Sequence, residues 1–170
     1  MRLALSVAVA ACVAVLSGCA LPVNSYTPSP RTQILLRSAN VSVTLLAVTA
    51  KQEDDTCRLA PLPRGSFTKL SDMVAHGIEV ETVGANVLAG RPVSLRVDLT
   101  LFSIDCTNRA ASVKIAGQAT ANGTTAPISV SVPIEYFFFG DLMHESATRG
   151  VDEAVRLVVR QALQTAPIAP

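Results

Sequence analysis

Tryptophan is absent from this chain, histidine occurs twice, and aromatic residues make up 4% of 170 positions. Two histidines cannot build a His-rich metal cage, and no HExxH, GxSxG, Walker-type or GxGxxG pattern is present. Charge is scarce as well, at 16% of the chain against the usual ~25%. Lysine and arginine number 14 and aspartate and glutamate 13, with no basic cluster, so the electrostatic footprint of a nucleic-acid binder is missing. The length excludes separate cofactor and substrate lobes and fits one domain. At 49% hydrophobic, with a mean hydropathy of +0.41, the chain is too apolar to be disordered. Long apolar runs are nevertheless missing everywhere except the extreme N-terminus.

That run is what the sequence does contain. Arg2 forms a minimal positive region, and Leu3 to Leu16 is apolar but for Ser6. At about 1.5 Å per residue this stretch is short of a ~30 Å hydrocarbon core, and it ends in small residues. A cleaved signal peptide over residues 1–18 is the expectation, with a transmembrane anchor as the alternative. The sequence Leu16-Ser17-Gly18-Cys19 resembles the bacterial lipobox. The resemblance implies that the Cys19 thiol receives diacylglycerol, that cleavage falls before it, and that the new amine is acylated. The membrane is then a partner through the acyl chains on Cys19, since two or three chains hold far better than one. Ala20 follows the cysteine, which by the sorting habit of this family favours the outer membrane, facing the periplasm, in a Gram-negative organism. Without Arg2 the mature chain has 13 basic and 13 acidic side chains.

Of four cysteines, Cys12 leaves with the signal peptide and Cys19 carries lipid. Cys57 and Cys106 remain, in a compartment that favours disulfides. A structural bridge is expected, stabilising the fold by roughly 2–4 kcal/mol; a pair of buried thiols is the alternative. Redox chemistry usually needs Cys-x-x-Cys, and zinc needs more ligands nearby.

Residues 19–33 comprise the lipidated Cys and a proline-rich tether; one domain is expected over 34–165, and 166–170 form a tail. Ile34 to Ala50 reads as β-rich, and 51–66 as a polar loop. A short helix is predicted from Phe67 to His76, ended by Gly77, then a strand in which Ile78, Val80 and Thr82 alternate with Glu79 and Glu81. Further on, Leu95, Val97, Leu99 and Leu101 alternate with Ser94, Arg96, Asp98 and Thr100. Asn122-Gly123 is a hairpin signal, so strands over 93–105, 111–121 and 124–138 form a meander. From Leu142 to Leu163, Ala147, Val151, Ala154, Val155, Val158 and Ala162 make an apolar helical stripe. Gly150 inside it suggests close packing on the sheet. The expected fold is α+β: a small, mainly antiparallel sheet of about 4–5 strands, with the C-terminal amphipathic helix on one face.

Lipobox, tether, early strand, helix, meander and final helix together resemble two groups of small envelope lipoproteins: the auxiliary lipoproteins of ABC-type lipid-transport systems and the YajG-like lipoproteins. The likeness lies in element order over about residues 34–163.

No catalytic residue, cofactor or metal site is assigned. His144 lies beside Asp141 and Glu145, but a solvent-facing first helical turn accounts for it. Glu53-Asp54-Asp55 lacks the alternating oxygen ligands of a calcium loop and reads as a solvated turn. Tyr136-Phe137-Phe138-Phe139 is the candidate partner or ligand contact. On a strand, Tyr136 and Phe138 face opposite to Phe137 and Phe139, so one pair enters the core while the other needs cover. The expected function is a non-enzymatic, lipid-anchored envelope domain that binds a protein partner or supports envelope assembly. The alternative is an auxiliary component of a system transporting lipid or another apolar ligand.

Overall fold

The computed structural model describes residues 26–51, 54–55, 70–105, 111–134 and 140–168. Along the chain run helix α1 (Pro30–Ala39), strands β1 (Val41–Ala50) and β2 (Asp54–Asp55), helix α2 (Leu70–Ala85), strands β3 (Arg91–Asp105), β4 (Ala111–Ala121) and β5 (Thr124–Ile134), and helix α3 (Gly140–Gln164). The sheet order is β1-β3-β4-β5, with β2 paired to the far end of β3. The strands β3, β4 and β5 form the antiparallel meander, whereas β1 and β2 lie parallel to β3. Parallel neighbours need a crossover, and α2 lies between β1 and β3 in the chain. Helix α2 packs on β1, α3 packs on β4 and β5, and the two helices touch each other. The fold is thus α+β, with a mixed sheet and the last helix across one face.

The meander follows the alternation in its sequence, with one local exception. Val93, Leu95, Val97 and Leu99 are buried beneath the helices, as are Val113, Ile115 and Ala119 of β4. Each such valine, leucine or isoleucine side chain contributes roughly 1.5–3 kcal/mol on burial. At Thr100 the register slips: Leu99 pairs with Gly117 and Leu101 with Ala116, leaving Thr100 as a bulge. The bulge reverses the faces, so Leu101 is 41% exposed and Phe102 takes the inward position. Gly117 makes this possible, because a Cβ there would collide with the Asp98 carbonyl and lie 2.8 Å from Leu99 Cα. Asn122 and Gly123, at φ 45° and 87°, form the tight turn. The Asn122 amide also reaches β3, accepting from Ser94 N–H at 2.9 Å and donating to the Pro92 carbonyl at 3.2 Å.

Helix α3 buries the expected stripe from Val151 to Ala162, with Ala147 half-buried, and extends it by Val159 and Leu163; Ala166 of the tail joins the core. Gly150 lets α3 press on the sheet, since a Cβ there would sit 3.0 Å from Ile134 Cγ1.

Two expectations need correction. The helix α1 begins inside the segment read as tether and continues through the first residues of the stretch read as β-rich. Ser29 is its N-cap, Pro30 sits where a missing N–H does no harm, and Asn40 ends it in the left-handed region at φ 49°. Downstream, Gly77 does not end a helix, and 78–82 is not a strand. Leu70, Val74, Gly77, Ile78, Glu81 and Ala85 form one buried face of α2. Gly77 sits in the middle of that face because a Cβ would lie 2.8 Å from both Tyr26 Cε2 and Val159 Cγ2.

Candidate functional site

Cys19, Cys57, Cys106 and the run Tyr136, Phe137, Phe138, Phe139 lie outside the described residues. The backbones of Asp141, His144 and Glu145 fall in the first turns of α3, where a helix was expected. Asp54 and Asp55, read as a solvated turn, are instead strand β2 against Ser103 and Ile104. His76 is half-buried on α2. Among the described residues no three His, Cys, Asp or Glu side chains converge as metal ligands, and no helix is long and apolar enough to cross a membrane.

What the structure does bring together was not visible in the sequence. Glu81 is completely buried on α2, and its Oε1 accepts the Tyr26 hydroxyl at 3.0 Å and the Ser29 N–H at 2.7 Å. A carboxylate at the N-cap residue of α1 satisfies one backbone donor and faces the positive end of that helix. Glu81 Oε2 and, on α1, Thr32 Oγ1 are buried without a hydrogen-bond partner among the described residues. Burial, then the charge and hydrogen bond of Glu81, push the Tyr26 phenol well above its ordinary range, while Arg156 and Arg160 oppose this. At the other end of α1, Arg37 donates to the carbonyls of Gly84 and Ala85 at 2.6 and 2.9 Å. It thereby caps the C-terminus of α2, where cations are favoured. The segment 26–29 is therefore clasped to the domain, and the two helices close each other's ends. The spacing of Leu70, Val74, Ile78, Glu81 and Ala85 carried the signal for α2; the partnership with Tyr26 had none.

Two further surfaces stand out. The solvent face of the sheet is polar: Thr49 donates to Asp98 at 2.7 Å, and Arg96 pairs with the same carboxylate at 3.0 Å. Those two partners, Arg96 first, hold the Asp98 carboxyl below its usual range. The second surface is an open groove of about 280 Å³ beside β1, lined by Leu36, Val41, Val43, Val83, Val87 and Leu88. Val83 and Leu88 are 79% and 91% exposed there.

No protein-family profile and no curated protein matches the chain. One solved structure, described as "Crystal structure of uncharacterized protein", aligns with a TM-score of 0.38 at 13% identity, covering 71% of this chain and 88% of its own. A likeness at that level carries no argument about function.

Proposed function

We propose that the chain is a lipid-anchored envelope lipoprotein whose domain acts by binding protein rather than by catalysis. The observation that carries this reading is Leu16-Ser17-Gly18-Cys19 directly after a short apolar run. The clasp adds a dimension to it. It fixes Tyr26 to the domain, seven residues beyond Cys19, and seven residues at about 3.3–3.6 Å each span at most roughly 25 Å. A domain so tethered stays close to the bilayer, with its partners drawn from the same surface or the space next to it. The alternative, an accessory to the transport of lipid, calls for an enclosed apolar cavity. Two grooves among the described residues are open, at about 280 and 380 Å³, near the lower bound for small-molecule sites.

The test is mass spectrometry of protein extracted from membranes with detergent. An N-terminal, acylated Cys19 without residues 1–18 is the expected product. A Cys19→Ser chain that remained processed and membrane-bound would sink the proposal.

A further inference from the structure

The two edges of the sheet are built differently, and the difference points to a partner. On β5 the pairing with β4 runs without a bulge, so the main-chain groups facing outward belong to Thr125, Pro127, Ser129, Ser131 and Pro133, which share one alternation. The prolines have no N–H to offer, and Ser129 directs both its N–H and its carbonyl to the Gln161 side chain of α3, at 3.0 and 3.2 Å. Three of the five outward N–H positions are thus withheld, and this edge is blunted against strand pairing. On β1, the bonds from Arg91 N–H to the Asn40 carbonyl and from Lys51 N–H to the Leu99 carbonyl fix which residues face β3. Asn40, Ser42 and Thr44 bond inward along the parallel ladder, so the N–H and carbonyl groups of Val41, Val43 and Leu45 face out. Among the described residues no strand pairs there. The strand, VSVTLLAVTA, holds no charge and no proline.

We propose that two copies of this chain pair antiparallel through the first half of β1, about a twofold axis at Val43. In that register Val41 lies opposite Leu45 of the partner subunit, and Val43 opposite Val43 of the partner subunit. Every outward N–H and carbonyl of the three residues then meets its complement. The faces match as well: Val and Leu adjoin Val and Leu on the helical side, Ser42 and Thr44 adjoin each other on the polar side, and no like charges meet. The strand thus asks of a partner what it supplies itself, an uncharged extended segment with one apolar face. Leu46, bulged out of register and 64% exposed, ends the pairing. Val43 and Leu45, half-buried at the open edge, become interior. A twofold axis normal to the sheet keeps both helical layers on one side and brings the two grooves with Val83 and Leu88 together over the seam. The pairing goes beyond the proposed function and needs no lipid.

The test uses full-length chains with two different tags, one carrying Ser42→Cys and the other Thr44→Cys. Opposite each other at a non-hydrogen-bonded position, these residues have Cα atoms about 4.5 Å apart, within disulfide range. Either variant alone places its own cysteines on the diagonal, at about 7–8 Å. Oxidation of membranes holding both chains should give a covalent heterodimer, with no gain over the parent when either variant is present alone. In sedimentation, Val43→Pro removes an outward N–H that β3 does not use and should weaken the dimer at least about tenfold, with the circular dichroism of the parent. Should that variant unfold, the cross-link decides. A mixed pair that cross-links no better than the single variants, or a parent chain that sediments as a monomer throughout, overturns the proposal. Running the same pair on a Cys19→Ser background separates loss of anchoring from loss of pairing.

Discussion

The Tyr26 hydroxyl and the Glu81 carboxylate meet at 3.0 Å across 55 residues of sequence. The same carboxylate oxygen holds the backbone N–H of Ser29 at 2.7 Å, so one atom ties the N-terminal segment both to α2 and to the start of α1. A hydrogen bond to a charged group contributes about 1.5–3 kcal/mol. Tyr26→Phe should therefore lower unfolding free energy by about 1.5–3 kcal/mol, and Glu81→Ala by about 3 kcal/mol or more, because it also strands the Ser29 N–H. Glu81→Gln keeps an acceptor and should lose less than Glu81→Ala. Urea denaturation monitored by circular dichroism measures all three. Equal stabilities for Glu81→Ala and the parent would remove the clasp from the account.

The raised Tyr26 phenol has a consequence at alkaline pH. In the unfolded chain a phenol ionises near pH 10, whereas in the fold burial and Glu81 keep it neutral to a higher pH. Its contribution to stability is full below pH 10 and is lost as pH climbs beyond it. The chain has two tyrosines, so Tyr136→Phe leaves Tyr26 as the reporter. Phenolate absorbance should rise together with loss of circular dichroism. A reversible titration near pH 10 with the fold intact would contradict this.

Three glycines rank by what a methyl group would strike. At Gly117 the obstacles are backbone atoms of Asp98 and Leu99 at the bulge, which cannot yield without undoing it. Gly117→Ala should cost about 3 kcal/mol or more. At Gly77 the obstacles are the Tyr26 ring and Val159, which can shift for about 1–3 kcal/mol. At Gly150 the nearest atom is Ile134 Cγ1 at 3.0 Å, and the better helix propensity of alanine, about 1 kcal/mol, offsets the squeeze. Thermal denaturation should place Gly117→Ala lowest and Gly150→Ala nearest the parent.

Strand β2 sharpens the expectation for the cysteines. Asp55 pairs in parallel with Ile104, and Cys57 and Cys106 each follow two residues later. The described pairing thus ends two residues short of both cysteines, and a disulfide requires Cα atoms within about 7 Å. Non-reducing peptide mapping of native protein should recover a linked Cys57–Cys106 pair. Quantitative alkylation of both thiols without reduction would exclude it.

The meander and α3 were legible because each has a periodic apolar face and a distinct punctuation. Asn122-Gly123 has a single structural use between alternating strands, and the stripe from Ala147 to Ala162 has one period. The first helix was missed although Ser29-Pro30 is a helix-start pair, because the β-branched run from Val41 dominated the window that contained it. Gly77 and Glu81 misled for a deeper reason. A glycine in a helix normally marks its end, and a glutamate normally faces water; here both are set by Tyr26, which lies 51 and 55 positions away. No local pattern carries such a contact. The bulge at Thr100 is similar, since its cause, Gly117, stands on the neighbouring strand.

The prolines of β5 and Gln161 of α3 also limit how far the sheet can be extended. Added strands enter more readily from the β1 side, so a first pairing there leaves an assembly with a blunted β5 margin at both ends. Growth beyond that step is disfavoured, because each margin withholds three of its five outward N–H groups. For a domain anchored as proposed, with neighbours meeting edge to edge, that asymmetry favours a finite pair over an open-ended fibre.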